Sequence, residues 1–336
     1  MSFQHIRGHE KILSILARII ETRRVSHAYI FSGLEGIGKR LAAIAFSKTL
    51  LCSSGGLESC GSCSACVQVD QGNHPDFFLV EPEKGTITID AIRNIKRGLS
   101  RTSFAGGYKF CVIDSAEKMN TNAQNGLLKT LEEPTPDTVI FLITGNPYLL
   151  LPTILSRCQH LRFQALAPET AAALVMEKEA VDALTASLMV ELTGGSPGKA
   201  LELERDSFKE LTESWVDCLS SASSQGQDPD LFSLGETFSR DKDSLHLRLN
   251  FLRLWFRDMI LYKIYGDPGR LLNRDKADVI ARYGHHWSLE KLVKALFWIE
   301  DHHQAIDRNV NPQLSLEALF MKLHSKREGS LQERAH

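Results

Sequence analysis

The chain has 336 residues, more than one hydrophobic core comfortably holds, so about two or three domains follow from size alone. It is 43% hydrophobic and 24% charged with a formal net charge of −2, which excludes a protein that grips nucleic acid through a strong overall positive field but leaves room for a local basic stripe. No run of about eighteen apolar residues occurs and charges are spread through the first thirty, so neither a transmembrane helix nor a signal peptide is expected and the chain is assigned to the cytoplasm.

Ile12, Leu13, Ile15, Leu16, Ile19 and Ile20 recur at helical spacing and predict an amphipathic opening helix. His27 to Ser32 reads as a short buried strand, Lys39 to Leu51 as a strong helix, and between them lies Gly33-Leu34-Glu35-Gly36-Ile37-Gly38-Lys39-Arg40. Strand, glycine loop and helix stand in the order a phosphate cradle requires, since free N–H groups at a helix N-terminus attract the anion. Gly33, Gly36 and Gly38 would curl the backbone around a polyphosphate, with Lys39 reaching its terminal phosphates. The next residue should be a Ser or Thr whose hydroxyl holds Mg²⁺; here it is Arg40, which cannot ligate a cation. A plain glycine-rich turn is the alternative.

Cys52, Cys60, Cys63 and Cys66 follow in the pattern C-x₇-C-x₂-C-x₂-C on a Ser/Gly-rich segment. Four thiolates so close in sequence match a closed tetrahedral zinc site, structural because no ligand position is left open. An iron–sulfur cluster and unliganded thiols are the alternatives. The odd total of seven cysteines suits a reducing compartment better than a disulfide framework, and Cys111, Cys158 and Cys218 read as small buried or incidental residues.

Phe77 to Val80 is a predicted strand, introduced by His74-Pro75-Asp76, where His74 reads as a turn residue. Asp90 is placed to cap a helix from Ala91 to about Ser100, and Arg93, Lys96, Arg97 and Arg101 share one face. That stripe could track a phosphate backbone, but a solvated helix face is the simpler reading. Lys109 to Asp114 is a buried strand ending in a carboxylate, where phosphate-loop proteins place a second metal contact, usually followed by a glutamate that activates water. Ser115 stands in that glutamate's place, and Glu117 is expected to have turned away.

Thr121-Asn122-Ala123-Gln124 has the form of a capping box before a helix that Pro134 stops. Thr138 to Thr144 and Gln159 to Phe163 are further strands, so a parallel sheet covered by helices on both faces is expected. After Pro168 the strand patterns stop. Three short helices (Pro168 to Glu179, Val181 to Thr193, Gly198 to about Arg205) precede a helical region reaching about Lys326, broken by a polar loop at Ser220 to Asp230. Leu252, Trp255, Phe256, Met259 and Ile260 form one apolar face and Leu292, Leu296, Phe297 and Ile299 another, read as bundle packing or subunit contact. The charged residues 327–336 are expected to be a disordered tail.

SHAYIFSG before the GK pair, the four-cysteine insert, HPDFFLVEPE, YKFCVIDSAEKMNTNAQNGLLKTLEEP and LLPTILSRCQ together closely resemble the delta-prime family of bacterial clamp-loader subunits, AAA+ proteins of the DNA polymerase III holoenzyme. The resemblance spans about residues 5–205, and NVNPQLSLEALF fits more loosely. It implies an α/β AAA+ phosphate-loop domain with a zinc insert over 1–165, a helical lid over 166–207 and an all-α oligomerisation domain over 208–326. It implies partners too: clamp-loader ATPase subunits, a delta subunit, and, through the assembly, a sliding clamp and primer-template DNA.

On matching residues, the resemblance makes Arg157, in Ser156-Arg157-Cys158, an arginine finger for a neighbouring subunit's ATP. It puts Thr144 near the family's first sensor, and Lys199 where active members carry a nucleotide-sensing arginine. With Arg40 and Ser115 in place of the metal-holding hydroxyl and the glutamate, hydrolysis by the chain itself is not expected. Retention of Gly33, Gly36, Gly38, Lys39 and Asp114 leaves ATP binding open. An active clamp-loader ATPase is the rival; a phosphate-loop nucleotide kinase explains the glycine loop but neither the cysteines nor the Ser-Arg-Cys motif.

Overall fold

The computed structural model describes residues 3–104, 106–203, 242–285, 287–308 and 310–324. Cys218, the predicted polar loop at 220–230 and the predicted tail at 327–336 lie outside these residues. The chain forms two compact units, one of residues 1–171 with 196–199, the other of residues 172–195 with 200–336.

The first unit is built on five parallel strands, β1 (Ala28–Ser32), β2 (Phe77–Val80), β3 (Lys109–Ile113), β4 (Thr138–Thr144) and β5 (Gln159–Arg162), in the order β2-β3-β4-β1-β5. Parallel strands need crossovers, and these place helices on both faces. Successive side chains of a strand point to opposite faces, so β1 sends Tyr29 and Phe31 one way and Ala28 and Ile30 the other. Tyr29 and Phe31 meet Phe110, Phe141 and Phe46 beneath α1 (Glu10–Thr22) and α2 (Lys39–Leu51). Ala28 and Ile30 join Cys111, Ile140 and Leu142 on the other face, which packs Ile92 and Ile95 of α4 (Ile89–Leu99) and Leu127 and Leu131 of α5 (Thr121–Glu132). A short helix α3 (Ser64–Asp70) ends the cysteine insert, and α6 (Pro152–Leu155) precedes β5.

Two helix starts differ from the sequence pattern. Asp90 lies inside the first turn of α4, and Thr88 is the residue before the helix. Asn120, not Thr121, caps α5, its side chain accepting the Ala123 N–H at 2.8 Å. Asn is as good a cap as Thr, and one residue further upstream it leaves Gln124 free for tertiary bonds.

The second unit is helical throughout its described residues, with α7 (Pro168–Glu179) entering it and α8 (Ala183–Leu192) within it. α9 (Pro197–Leu201) is divided, Pro197 to Lys199 belonging to the first unit. Helix Lys242–Tyr265 buries Leu252, Trp255, Phe256 and Met259 against helices Ala277–His285 and Leu289–Asp307, and the latter packs on Pro312–His324. On Leu289–Asp307 the buried positions are Leu292, Ala295 and Ile299, whereas Phe297, expected on the apolar face, is 68% exposed. The helical rotation between 295 and 297 carries it away from the core. Asp258 is fully buried in this unit, accepting from the backbone N–H groups of Leu272 and Asn273, from Asn273 Nδ2 and from Arg257.

Candidate functional site

The carboxyl ends of neighbouring strands in a parallel sheet converge on one crevice. Here β1 delivers the glycine loop, β2 delivers Glu81, β3 Asp114 and β4 Thr144. Gly33 has φ 141° and Gly36 φ 72°, values an L side chain resists. Close approach adds a second demand, for a Cβ on Gly33 would lie 2.3 Å from the Phe163 carbonyl oxygen and one on Gly36 2.2 Å from Ser196 Oγ. Gly198 donates its N–H to the Gly36 carbonyl at 2.9 Å, so the apex of the loop is covered by backbone.

Lys39 is 5% exposed, and its Nζ donates to the carbonyls of Gly33 and Leu34, each at 2.6 Å. Burial pushes its pKa down, opposed first by the carboxylate of Glu117 and next by that of Asp114. Arg40 leaves the first turn of α2 and pairs through Nη1 with Glu81 Oε1 and, at 3.3 Å, with Asp114 Oδ2. The other oxygen of Asp114 accepts the Ser115 N–H at 2.9 Å. Thr144 is buried, holds the Gly33 N–H on its carbonyl at 3.2 Å, and accepts the Asn146 N–H on Oγ1 at 3.0 Å. Lys199 Nζ lies 2.7 Å from Glu35 Oε2, and that hydrogen bond holds the Glu35 carboxyl below its ordinary range.

Glu117 has not turned away, which corrects the sequence expectation. Ser115 takes a left-handed conformation (φ 51°) and starts a single 3₁₀ turn, Ala116–Lys118, that swings Glu117 back over the crevice. Its Oε1 accepts the Gly145 N–H at 3.3 Å, and its Oε2 is buried with no hydrogen-bond partner among the described residues. The only sequence signal for this is a carboxylate three residues past Asp114.

The four cysteine sulfurs lie within 4.8 Å of one another, with Cys52 to Cys63 at 3.8 Å and Cys60 to Cys66 at 4.0 Å. A tetrahedron of thiolates about 2.3 Å from one zinc ion has edges of about 3.8 Å, so the sulfurs are already spaced for a single ion. Bridging sulfides between two or more irons would hold the ligands farther apart. Backbone N–H groups of Cys60, Cys63 and Cys66 donate to the sulfurs of Cys52, Cys60 and Cys63 at 3.3, 3.3 and 3.5 Å, which favours the thiolate forms a metal needs. Lys48, itself buried on α2, pairs with Asp70 of α3 and pins the insert to the domain. His74 is not part of this group: its Nδ1 accepts the Asp76 N–H at 3.1 Å within the turn.

Arg157 follows α6. Its Nη1 donates to the Thr153 carbonyl at 2.8 Å and its Nη2 lies 2.8 Å from Glu132 Oε1. The register pairs Gln159 with Tyr29 and Arg162 with Ser32. Arg157 therefore stands beyond the amino end of β5 while the glycine loop leaves the carboxyl end of β1, and strands rising about 3.3 Å per residue put the two about 15–20 Å apart.

Residues 8–167 match the family model described as "DNA polymerase III, delta subunit", and residues 209–325 match that of its C-terminal part. Three proteins named DNA polymerase III subunit delta' are similar to this chain. That of Bacillus subtilis (strain 168) is 33% identical over 317 residues, covering 93% of this chain and 95% of its own. The chain belongs to the delta-prime family of DNA polymerase III subunits. The Pseudomonas aeruginosa relative is 32% identical (88% of this chain, 91% of its own) and the Escherichia coli K12 relative 33% identical (81% and 80%).

In this delta-prime family member three of the four basic residues read as a stripe, all but Arg101 beyond the end of α4, have partners on their own or the neighbouring helix. Arg93 pairs with Asp90 at 3.0 Å and Arg97 donates to Asn94 at 2.6 Å, both exposed, while Lys96 is half-buried and donates to the Gly126 carbonyl at 3.1 Å. Gln124, the far end of the capping-box pattern, is a tether instead. Its Oε1 accepts the Leu151 N–H at 2.8 Å, and its Nε2 donates to the carbonyls of Leu149 and Met119, each at 3.2 Å. No helix among the described residues is long and apolar enough to cross a membrane.

Proposed function

We propose that this chain is a non-hydrolysing subunit of the bacterial replicative clamp loader. In this reading it helps place the sliding clamp on primer-template DNA and lends Arg157 to the ATP site of an adjacent ATPase subunit. The observation that carries the proposal is the pairing of Arg40 with Asp114, which puts a guanidinium where metal-assisted hydrolysis needs a cation bridged to phosphate. Ser115, in place of a water-activating glutamate, supports it.

The trans role of Arg157 is supported by its position at the opposite end of the sheet from its own loop. A guanidinium brought against a γ-phosphate stabilises transition-state charge, an effect of roughly 10³ to 10⁵ in rate in other nucleotide hydrolases. Serving the chain's own nucleotide would require it to cross the sheet. Thr144 and Lys199, tied to Gly33 and Glu35, are assigned to a sensor frame kept as scaffold.

Cys52, Cys60, Cys63 and Cys66 would hold one structural zinc that closes the insert and takes no part in chemistry. We assign residues 1–165 to the phosphate-loop domain, 166–207 to a lid and 208–326 to assembly with the ATPase and delta subunits, in a soluble cytoplasmic complex. ATP binding by Gly33, Gly36, Gly38 and Lys39 is not required for this role, and Lys39 and Arg40 both have partners within the chain.

An active ATPase is the second reading, and one observation favours it: Glu117 faces Lys39 with an unpartnered oxygen. ATP turnover by the purified chain with Mg²⁺ separates the two. No turnover is expected; turnover that Lys39→Ala abolishes would overturn the proposal.

A further inference from the structure

Arg40, Glu81 and Asp114 come from α2, the end of β2 and the end of β3, and are brought together only by the sheet order. One nitrogen of Arg40 serves both carboxylates, and the Asp114 oxygen not facing it is occupied by the Ser115 N–H. Two carboxylates converging on one point repel each other unless a cation lies between them, and hard divalent ions take such oxygen pairs. Lys39 acts on Asp114 only through space, its Nζ donating to the loop carbonyls, and Lys199 is paired with Glu35, so Arg40 is the cation in contact with both carboxylates among the described residues.

We propose that Arg40 is a tethered replacement for a divalent cation. Its guanidinium offsets one of the two carboxylate charges permanently and occupies the point on which both converge, keeping Mg²⁺ out, so the carboxylate pair beneath it is a latent metal site that removal of the guanidinium would open. Substitution at this position is then more than the loss of a ligand, because the cation has been built into the chain. Serine at position 40 would restore a hydroxyl beside the two carboxylates, completing an oxygen-rich set for Mg²⁺ or Mn²⁺.

The inference deepens the non-hydrolysing reading and rests on it, and its test contains no nucleotide, so the two can fail separately. ATP turnover by the unaltered chain would sink that reading; only metal binding at rest decides the role of Arg40. Mn²⁺ binding to the zinc-loaded full chain is measured by electron paramagnetic resonance, with thermal melting in the presence and absence of Mg²⁺. The unaltered chain is expected to hold no Mn²⁺ that Asp114→Asn removes, and to melt at the same temperature with or without Mg²⁺. Arg40→Ser is expected to bind about one Mn²⁺ at least tenfold more tightly and to gain melting temperature with Mg²⁺, as binding to the folded state requires. Adding Asp114→Asn should remove both effects. A variant that folds only when Mg²⁺ or Mn²⁺ is supplied is the expected result in stronger form, and Arg40→Gln, closer in length, takes the same measurement if Arg40→Ser does not fold under either condition. Absence of metal binding in both variants, or Asp114-dependent Mn²⁺ binding by the unaltered chain, would overturn the proposal.

Discussion

Arg157 and Glu132 are joined by a 2.8 Å contact between Nη2 and Oε1, and Glu132 is the last residue of the helix whose first turn carries Gln124. One helix, α5, thus supports the Ser-Arg-Cys turn twice. Glu132 holds the guanidinium itself, and Gln124 holds the backbone of Leu149 and Leu151 that leads into α6. Burial pushes the neighbouring Cys158 thiol up to about 12, so it behaves as an uncharged packing group that anchors the turn.

Gln124→Leu keeps the volume of the side chain and removes its bonds. Leu151 N–H and the carbonyls of Leu149 and Met119 lose their partner, at a cost of about 1–3 kcal/mol that falls mainly on the buried Met119 carbonyl. Denaturant unfolding should register that loss. In a reconstituted loader the same variant should slow ATP hydrolysis while leaving every subunit bound, because the turn bearing Arg157 is no longer fixed. A variant that loses stability but hydrolyses normally would show that α5 does not position the finger.

The cysteine insert should contain about one zinc per chain by elemental analysis. Cys63→Ser should lose most of it, since Cys63 both supplies a sulfur and caps α3 through the Cys66 N–H. Limited proteolysis is then expected to cut between residues 52 and 66 while amide protection of the β1, β3 and β4 strands persists. Iron with visible absorbance would contradict the assignment.

His9 gives the first unit a dependence on pH. Its Nε2 lies 2.7 Å from the Ile37 carbonyl in the glycine loop, and its ring meets Phe163 edge-on at 4.9 Å. Burial lowers its pKa from 6.5. The unfolded chain therefore binds the proton more readily than the folded one, so the stabilisation is complete above about pH 6.5 and is lost as pH falls through the folded value. His74 is lowered by burial too and adds to the same slope. The stability advantage of the unaltered chain over His9→Gln, which keeps an N–H donor, should shrink between about pH 7 and pH 5.5. An advantage constant across that range would exclude His9 as the source.

The strands were the most legible part of the sequence. Thr138–Thr144 is apolar enough to be buried on both faces and was found with the bounds its pattern suggested, and the spacing of Cys52, Cys60, Cys63 and Cys66 announced their convergence. Features that depend on three-dimensional adjacency were not legible. Glu81 carries no signal linking it to Arg40, because only the parallel sheet brings the end of β2 and the start of α2 together at the carboxyl ends of the strands. The position of Glu117 is not legible because a left-handed Ser115 is a backbone choice that neighbouring residues do not dictate. The face carrying Phe297 reads as bundle packing or subunit contact, and because a short apolar run on a helix fits more than one face, the sequence does not separate exposed Phe297 from buried Leu292 and Ile299.

The most direct measurement compares Lys39→Ala and Arg157→Ala side by side in the same reconstituted clamp loader, following DNA-stimulated ATP hydrolysis and subunit content. Lys39→Ala is expected to leave hydrolysis unchanged, and Arg157→Ala to reduce turnover at one site by roughly 10³-fold or more with assembly intact. Loss of hydrolysis with Lys39→Ala and full hydrolysis with Arg157→Ala would contradict the assignment of this chain as a stator that acts on its neighbour's nucleotide.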